Sequence, residues 1–318
     1  MKLIITIDTE EDDWGSYSRT EYSLRNIERI PRLQELFDEF NCKPTYLVTY
    51  PVATDDTTVP ILKQIMDQGK CEIGTHCHPW NTPPFDEENT EKNSMLCNLS
   101  HDLQWRKLKS LHTAIIENFG VVPKSFRAGR WGYDEGVARN LYKLGYLIDS
   151  SISPFWDWRD YDGPDFSRMS PEPFRFNLTN IFRGVPQGQL VEIPATIAFL
   201  QQNFVFSSRV SNLLKSKFLR KLRLKGILYR LNLLNQVWLS PEMSDSERMI
   251  KITKVMIRKG FRLVNMFFHS TSLLAGLGPF VKNAEEEKQF LERIRKFLRF
   301  TRECDFESMP LCEAGSLV

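Results

Sequence analysis

Two short stretches of this 318-residue chain have residue types and spacing suited to chemistry: Asp8-Thr9-Glu10 and His76-Cys77-His78. Each closes an apolar run that reads as a buried strand. In extended backbone, residues i and i+2 project from the same face. Two carboxylates and two imidazoles can therefore point into one space, hold a divalent cation and leave one carboxylate to move a proton. The reaction this suggests is hydrolysis. A blander reading stands beside it. One histidine would cap the turn before Pro79 and the other would pack in the core, while Asp8 and Glu10 form rim ion pairs with Arg127 or Arg130. Buried carboxylates are costly unless paired or metal-bound. An arginine beside a base also keeps it ionised, so the ion-pair reading does not exclude function.

His269 ends the apolar run 263–268, and Asp149 ends another. An imidazole paired with an aspartate has a raised pKa and can donate a proton to a leaving amine; a lone histidine there is as often a hydrogen-bonded core residue. Cys77 alternates away from its neighbours and is expected in the core. Glu11, Asp12 and Asp13 are expected in a solvated loop, and His101 and His112 are read as structural. Trp80, Trp131, Trp156 and Trp158 flank the candidates. Aromatic faces make walls for sugar rings, although ordinary core packing explains any one of them.

These residues need a scaffold that gathers distant strand ends. The pattern predicts strands at 3–7, 45–49, 71–75, 124–127, 146–149, 190–193 and 262–268. Helices are predicted at 24–40, 59–68, 101–119, 134–144, 246–259 and 284–300, with Gly145 and Gly260 closing two of them. Such alternation argues for a parallel sheet. The candidates all follow strands: a β/α barrel collects those positions on one rim, whereas an open sheet spreads them along an edge. Convergence from five strands favours the barrel, as a single domain over 1–318. Two stretches break the alternation. Residues 153–188 read as a long irregular loop, of the kind that forms lids or walls. Residues 201–240 contain no Asp or Glu but eight Lys or Arg, and read as a basic amphipathic helical insertion.

Composition bounds the rest. Hydrophobic content of 42% with 26% charged residues is that of a soluble globular protein. A net charge of +2 gives no global argument for nucleic-acid binding, and no recognition pattern accompanies the basic stretch. The N-terminal MKLIITID lacks the long apolar core of a signal peptide, which predicts a cytoplasmic location. The six cysteines show no CxxC spacing, so neither a zinc ribbon nor a disulfide framework is indicated. The insertion is read first as a solvated helix covering the barrel. The sharper reading is contact of Lys215, Lys217, Arg220, Lys221, Arg223 and Lys225 with anionic lipid, at the inner membrane face.

Taken together, these residues resemble the polysaccharide deacetylase superfamily (the NodB-homology, or carbohydrate esterase family 4, group), and within it the WalW-like branch. TIDTE (6–10) is similar to the motif that supplies a catalytic base and a metal ligand, and EIGTHCHPW (72–80) to the histidine motif. FRAGRWG (126–132) is similar to the arginine motif, LIDSS (147–151) to the aspartate motif and MFFHS (266–270) to the final histidine motif. The resemblance implies a distorted (β/α)7 barrel. It also implies metal-dependent removal of an N-acetyl group from a sugar of a surface polysaccharide or its precursor. By motif position, Asp8 is the implied base, Arg127 orients it, His269 is the acid, Asp149 tunes that acid and His76 is the first metal histidine.

The sequence departs from the family pattern twice. Thr9 stands where a second aspartate is usual, and Trp80 where the second histidine is usual. The same-face spacing lets Glu10 and His78 supply those ligands, and leaves Asp8 and Glu10 able to exchange roles. The donor set suits zinc first, with nickel, cobalt or iron as alternatives. Trp80, Arg130 and Trp131 are assigned to the substrate. A fold does not fix a substrate, so hydrolysis of another C–N amide bond and non-catalytic sugar binding remain the competing readings.

Overall fold

The computed structural model describes residues 1–214 and 224–318. Its strands are β1 (Lys2–Thr9), β2 (Thr45–Val48), β3 (Glu72–Cys77), β4 (Ser125–Ala128), β5 (Ile148–Asp149) and β6 (Phe174–Asn177). They continue as β7 (Asn180–Gly184), β8 (Leu190–Glu192), β9 (Ile197–Phe199), β10 (Gln236–Trp238), β11 (Leu263–His269) and β12 (Glu307–Ser308). Helices are α1 (Ile30–Glu39), α2 (Tyr50–Thr54), α3 (Thr58–Asp67), α4 (His101–Phe119), α5 (Glu135–Lys143), α6 (Phe204–Leu213), α7 (Leu224–Arg230), α8 (Ser246–Arg258) and α9 (Ala284–Glu303). Side-chain oxygens of Ser100, Asp134, Asp245 and Asn283 each accept an N–H of the first turn of α4, α5, α8 and α9. Such caps are worth about 1 kcal/mol each and explain why these helices start where the sequence predicts.

Seven strands run parallel in the order β11–β1–β2–β3–β4–β5–β8. This is the distorted (β/α)7 barrel. The distortion lies at the seam between β8 and β11, which no strand ladder closes among the described residues. Irregular chain bridges it instead: Thr196 N–H donates to Asn265 O (3.2 Å), Leu239 N–H to Thr196 O (2.8 Å) and Phe267 N–H to Leu239 O (3.2 Å). The stretch 153–188, expected to be irregular throughout, contains the antiparallel hairpin β6–β7, which extends the sheet beyond β8. Phe176 and Ile181 are buried there; strands of four and five residues are too short for alternation to stand out among so many Pro and Asp. The predicted helix 24–40 begins as a 3-10 turn at Arg25–Arg29 and turns α-helical beside Pro31, a residue suited to a first turn.

Alternation along each strand sorts the chemistry. On β1, Leu3, Ile5 and Ile7 pack in the main apolar core, while Ile4 belongs to a separate cluster with Ile148, Val191, Ile193, Leu263 and Leu311. That second cluster plugs the end of the barrel where the strands begin, and the C-terminal turn Leu311–Leu317 covers it. Above the plug lies a polar layer: Thr6 Oγ1 donates to Asn265 Oδ1 (3.0 Å), Asn265 Nδ2 to Ser150 Oγ (3.1 Å) and Arg127 Nη2 to Thr6 Oγ1 (2.7 Å). Asp8 and then Glu10 come next on the same face. No helix among the described residues is long and apolar enough to cross a membrane, and the six cysteines form no disulfide. The basic cluster from Lys215 to Arg223 lies outside the described residues.

Candidate active site

Glu10, His76 and His78 converge, all buried, with their ligand atoms within 4.8 Å of one another. Cys77, between the histidines, packs in the apolar core. The Nε2 atoms of His76 and His78 stand 3.0 Å apart, and Glu10 Oε2 lies 3.6 and 3.3 Å from them. His76 Nδ1 meets the Arg127 carbonyl oxygen (3.0 Å), which can only accept, so the ring proton sits on Nδ1 and Nε2 is bare. Burial holds this ring neutral, with its pKa pushed down to about 3. His78 Nδ1 faces the Glu11 carboxylate at 2.9 Å. These are the outer partners that orient imidazoles toward a metal. Glu10 Oε1 is buried without a partner among the described residues. Burial, helped by Glu11 and Asp8, pushes the Glu10 carboxyl well above the usual range. Bare nitrogens and a buried carboxylate facing one point call for positive charge there, so the donor set fits a divalent cation.

Glu11 and Asp12 are corrections to the expected solvated loop, since both are buried. Glu11 also accepts from Trp80 Nε1 (3.2 Å), and His78 outweighs the cost of burial to hold its carboxyl below the usual range. Asp12 accepts from Ser23 Oγ, the Arg25 N–H and Asn26 Nδ2, tying down the chain behind Glu10. Trp80 does not reach the cavity. It is buried and stacks on His78 with ring centroids 4.0 Å apart, so it backs a putting-together of ligands rather than walling a substrate.

Asp8 stands beside this group and pairs with Arg127 Nη1 at 2.8 Å. Burial alone would raise its carboxyl, but the Arg127 guanidinium, together with His76 and His269, outweighs it and holds the group below the usual range. Arg127 is itself fixed by Ser150 O (3.0 Å) and Thr6 Oγ1 (2.7 Å). Gly129 follows on the same motif: a Cβ there would lie 2.4 Å from His78 Cδ2, so any larger residue would displace that ring. Arg130 and Trp131 then take left-handed backbone (φ 53° and 62°) and both line the cavity.

His269 pairs with a residue the sequence reading missed. Its Nδ1 meets Glu242 Oε2 at 3.0 Å, and its backbone N–H donates to Glu242 Oε1. Trp14 and Phe280 stack on its two faces. Burial would lower the imidazole pKa, but Glu242 and the other carboxylates outweigh it and raise it to about 10. His269 Nε2 lies 3.9 Å from Asp8 Oδ2. Asp149, the expected partner, faces elsewhere. Ile148 belongs to the barrel plug and Ser150 to the polar layer, so alternation turns Asp149 outward. There it hydrogen-bonds Ser151 (2.6 Å) and stands in register with Glu192; burial raises both carboxyls. Glu242 lies three residues beyond the apolar run 237–239 and off its strand, so strand-end position did not single it out.

One cavity of about 460 Å³ joins these groups, a size usual for small-ligand sites. Asp8, Glu10, His76, His78, Arg127, Arg130, Trp131, Glu242 and His269 line it. Its outer wall is aromatic, from Trp14, Tyr17, Trp156, Trp158, Tyr161 and Trp238.

No protein-family model matches the sequence, and no curated protein is similar to it. Solved structures are. The chain superposes on a Mycobacterium smegmatis protein assigned as a polysaccharide deacetylase with a TM-score of 0.59 and 16% identity, over 100% of this chain and 89% of that one. Looser superpositions are a Streptomyces lividans family 4 carbohydrate esterase in complex with acetate (TM-score 0.46, 10% identity, 99% and 95% covered) and a Clostridium thermocellum family 4 acetyl xylan esterase in complex with a cobalt ion (0.44, 13%, 100% and 91%). The chain thus has the polysaccharide deacetylase fold, the distorted barrel that its motif strings imply.

Proposed function

We propose that this chain is a metal-dependent hydrolase that removes an acetyl group from an N-acetylated sugar of a surface polysaccharide or its precursor. The observation that carries the reading is the meeting of two bare imidazole nitrogens and the buried Glu10 carboxylate at one point of the cavity wall. Glu10, His76 and His78 would hold the ion, zinc first by donor type and nickel, cobalt or iron otherwise. When bound, such an ion supplies Lewis-acid polarisation and lowers the pKa of water. Asp8, kept ionised by Arg127, accepts the proton of the attacking water. Its second oxygen lies 3.9 Å from His269 Nε2, so base and acid open onto the same part of the cavity. As water oxygen bonds to the acyl carbon and the C–N bond breaks, His269 donates its Nε2 proton to the departing amine. Glu242 keeps that imidazole charged and fixes its plane. The aromatic wall, with Arg130 and Trp131, offers ring faces and a few donors to a sugar.

Acetate release from N-acetylglucosamine oligomers tests the reading. The chain stripped by a chelator is expected to be inactive and to recover on addition of zinc, cobalt or nickel. A metal-reloaded chain that cleaves simple aryl acetamides but no sugar would favour the other amide reading. One that cleaves neither yet binds acetylated oligosaccharide would favour the binding protein.

A further inference from the structure

Helix α6 buries three serines beside Phe204 and turns large apolar side chains outward. Ser207, Ser208 and Ser211 are buried, while Val205, Phe206 and Leu213 are 58%, 63% and 65% exposed. A helix on a water-facing surface shows the reverse arrangement. On α7 and the turn after it, Ile227, Leu231 and Leu233 are exposed too. Gln201 binds the two segments side by side: its Nε2 donates to Asn232 O and its Oε1 accepts the Asn235 N–H, both at 2.9 Å. Outward-facing large apolar side chains gathered on adjoining segments mark an interaction surface. The same stretch, 201–240, carries Arg209, Lys215, Lys217, Arg220, Lys221, Arg223, Lys225 and Arg230 in sequence, and no acidic residue.

We propose that this face docks on an anionic lipid surface. The apolar side chains of α6 and α7 would enter the boundary between headgroups and acyl chains, and the exposed Arg209 and Arg230 would meet the headgroups. Charge decides between occupants: a second copy would set this positive stretch against itself, whereas an anionic bilayer neutralises it. Behind the exposed face, Ser211 and Tyr229 line a cavity of about 220 Å³ that shares Trp156, Trp238 and Met243 with the cavity of the candidate site.

The test uses the full chain and no activity, so its failure is separate from failure of the deacetylase reading. Sedimentation is measured with vesicles of phosphatidylcholine alone and with a quarter phosphatidylglycerol. Binding is expected with the anionic vesicles, weakened by salt. The double variant Phe206→Ser/Leu213→Ser, whose changes lie on the surface, should lose about tenfold or more in partition with unchanged thermal unfolding. Absence of binding at low salt, or equal binding by the double variant, would overturn the proposal. So would a dimer in solution that the double variant dissociates, because the second copy would then be the occupant.

Discussion

Asp8→Asn is expected to lower kcat by about 10²–10⁴-fold, the usual contribution of a positioned general base, while metal content and fold persist. Asparagine is the right replacement. It keeps an oxygen to accept from Arg127 Nη1, now bonded at 2.8 Å, but cannot take a proton. Alanine would leave the buried guanidinium unpaired at a cost of about 3–5 kcal/mol, and lost activity would then be confounded with lost structure. Single-turnover acetate release checks the prediction. Retained activity would remove Asp8 from the chemistry. Loss of the ion from Asp8→Asn would instead mean that Asp8 and Glu10 exchange roles.

The second large effect concerns the acid. His269→Ala is expected to cost about 10²–10⁴-fold in turnover. Glu242→Gln should act through the same imidazole, and its signature is the pH profile. A general acid works only while protonated, so activity is present below the His269 pKa and lost as pH rises through it. That pKa, about 10 in the intact site, is raised first by Glu242 and then by Glu10 and Asp8. Without that carboxylate it should fall toward the ordinary histidine value of about 6.5. The alkaline limb of kcat/KM should therefore move to lower pH in Glu242→Gln and stay in place in Asp149→Asn. The opposite pattern would restore Asp149 as the partner and remove Glu242.

Much of this site was legible because one rule, alternation in extended backbone, was enough. It put Asp8 with Glu10 and His76 with His78, and sent Cys77 to the core. The same rule misled only where it was not applied. Ile148 and Ser150 face the barrel interior, so Asp149 between them cannot, and it meets Glu192 across the outer face. A motif string aligned Asp149 with a role that its strand parity denies it. Glu242 was missed for another reason: it comes from a short segment after β10 that crosses the barrel seam, and the seam is held by hydrogen bonds of irregular chain that no periodicity announces. Glu11 and Asp12 look like a solvated acidic run in sequence. They are buried because His78, Trp80, Asn26 and Ser23 supply partners from distant segments, and no local pattern encodes those partners.

Metal content tests the central claim most directly. The purified chain is dialysed to equilibrium against zinc, and bound ion is counted by elemental analysis in the native protein and in Glu10→Gln, His76→Ala and His78→Ala, with thermal unfolding as the control for fold. One ion per chain in the native protein, and strongly weakened binding in each folded variant, is the predicted result. A native chain that binds no divalent ion, or folded variants that each retain it, would contradict the convergence of Glu10, His76 and His78 on a single cation.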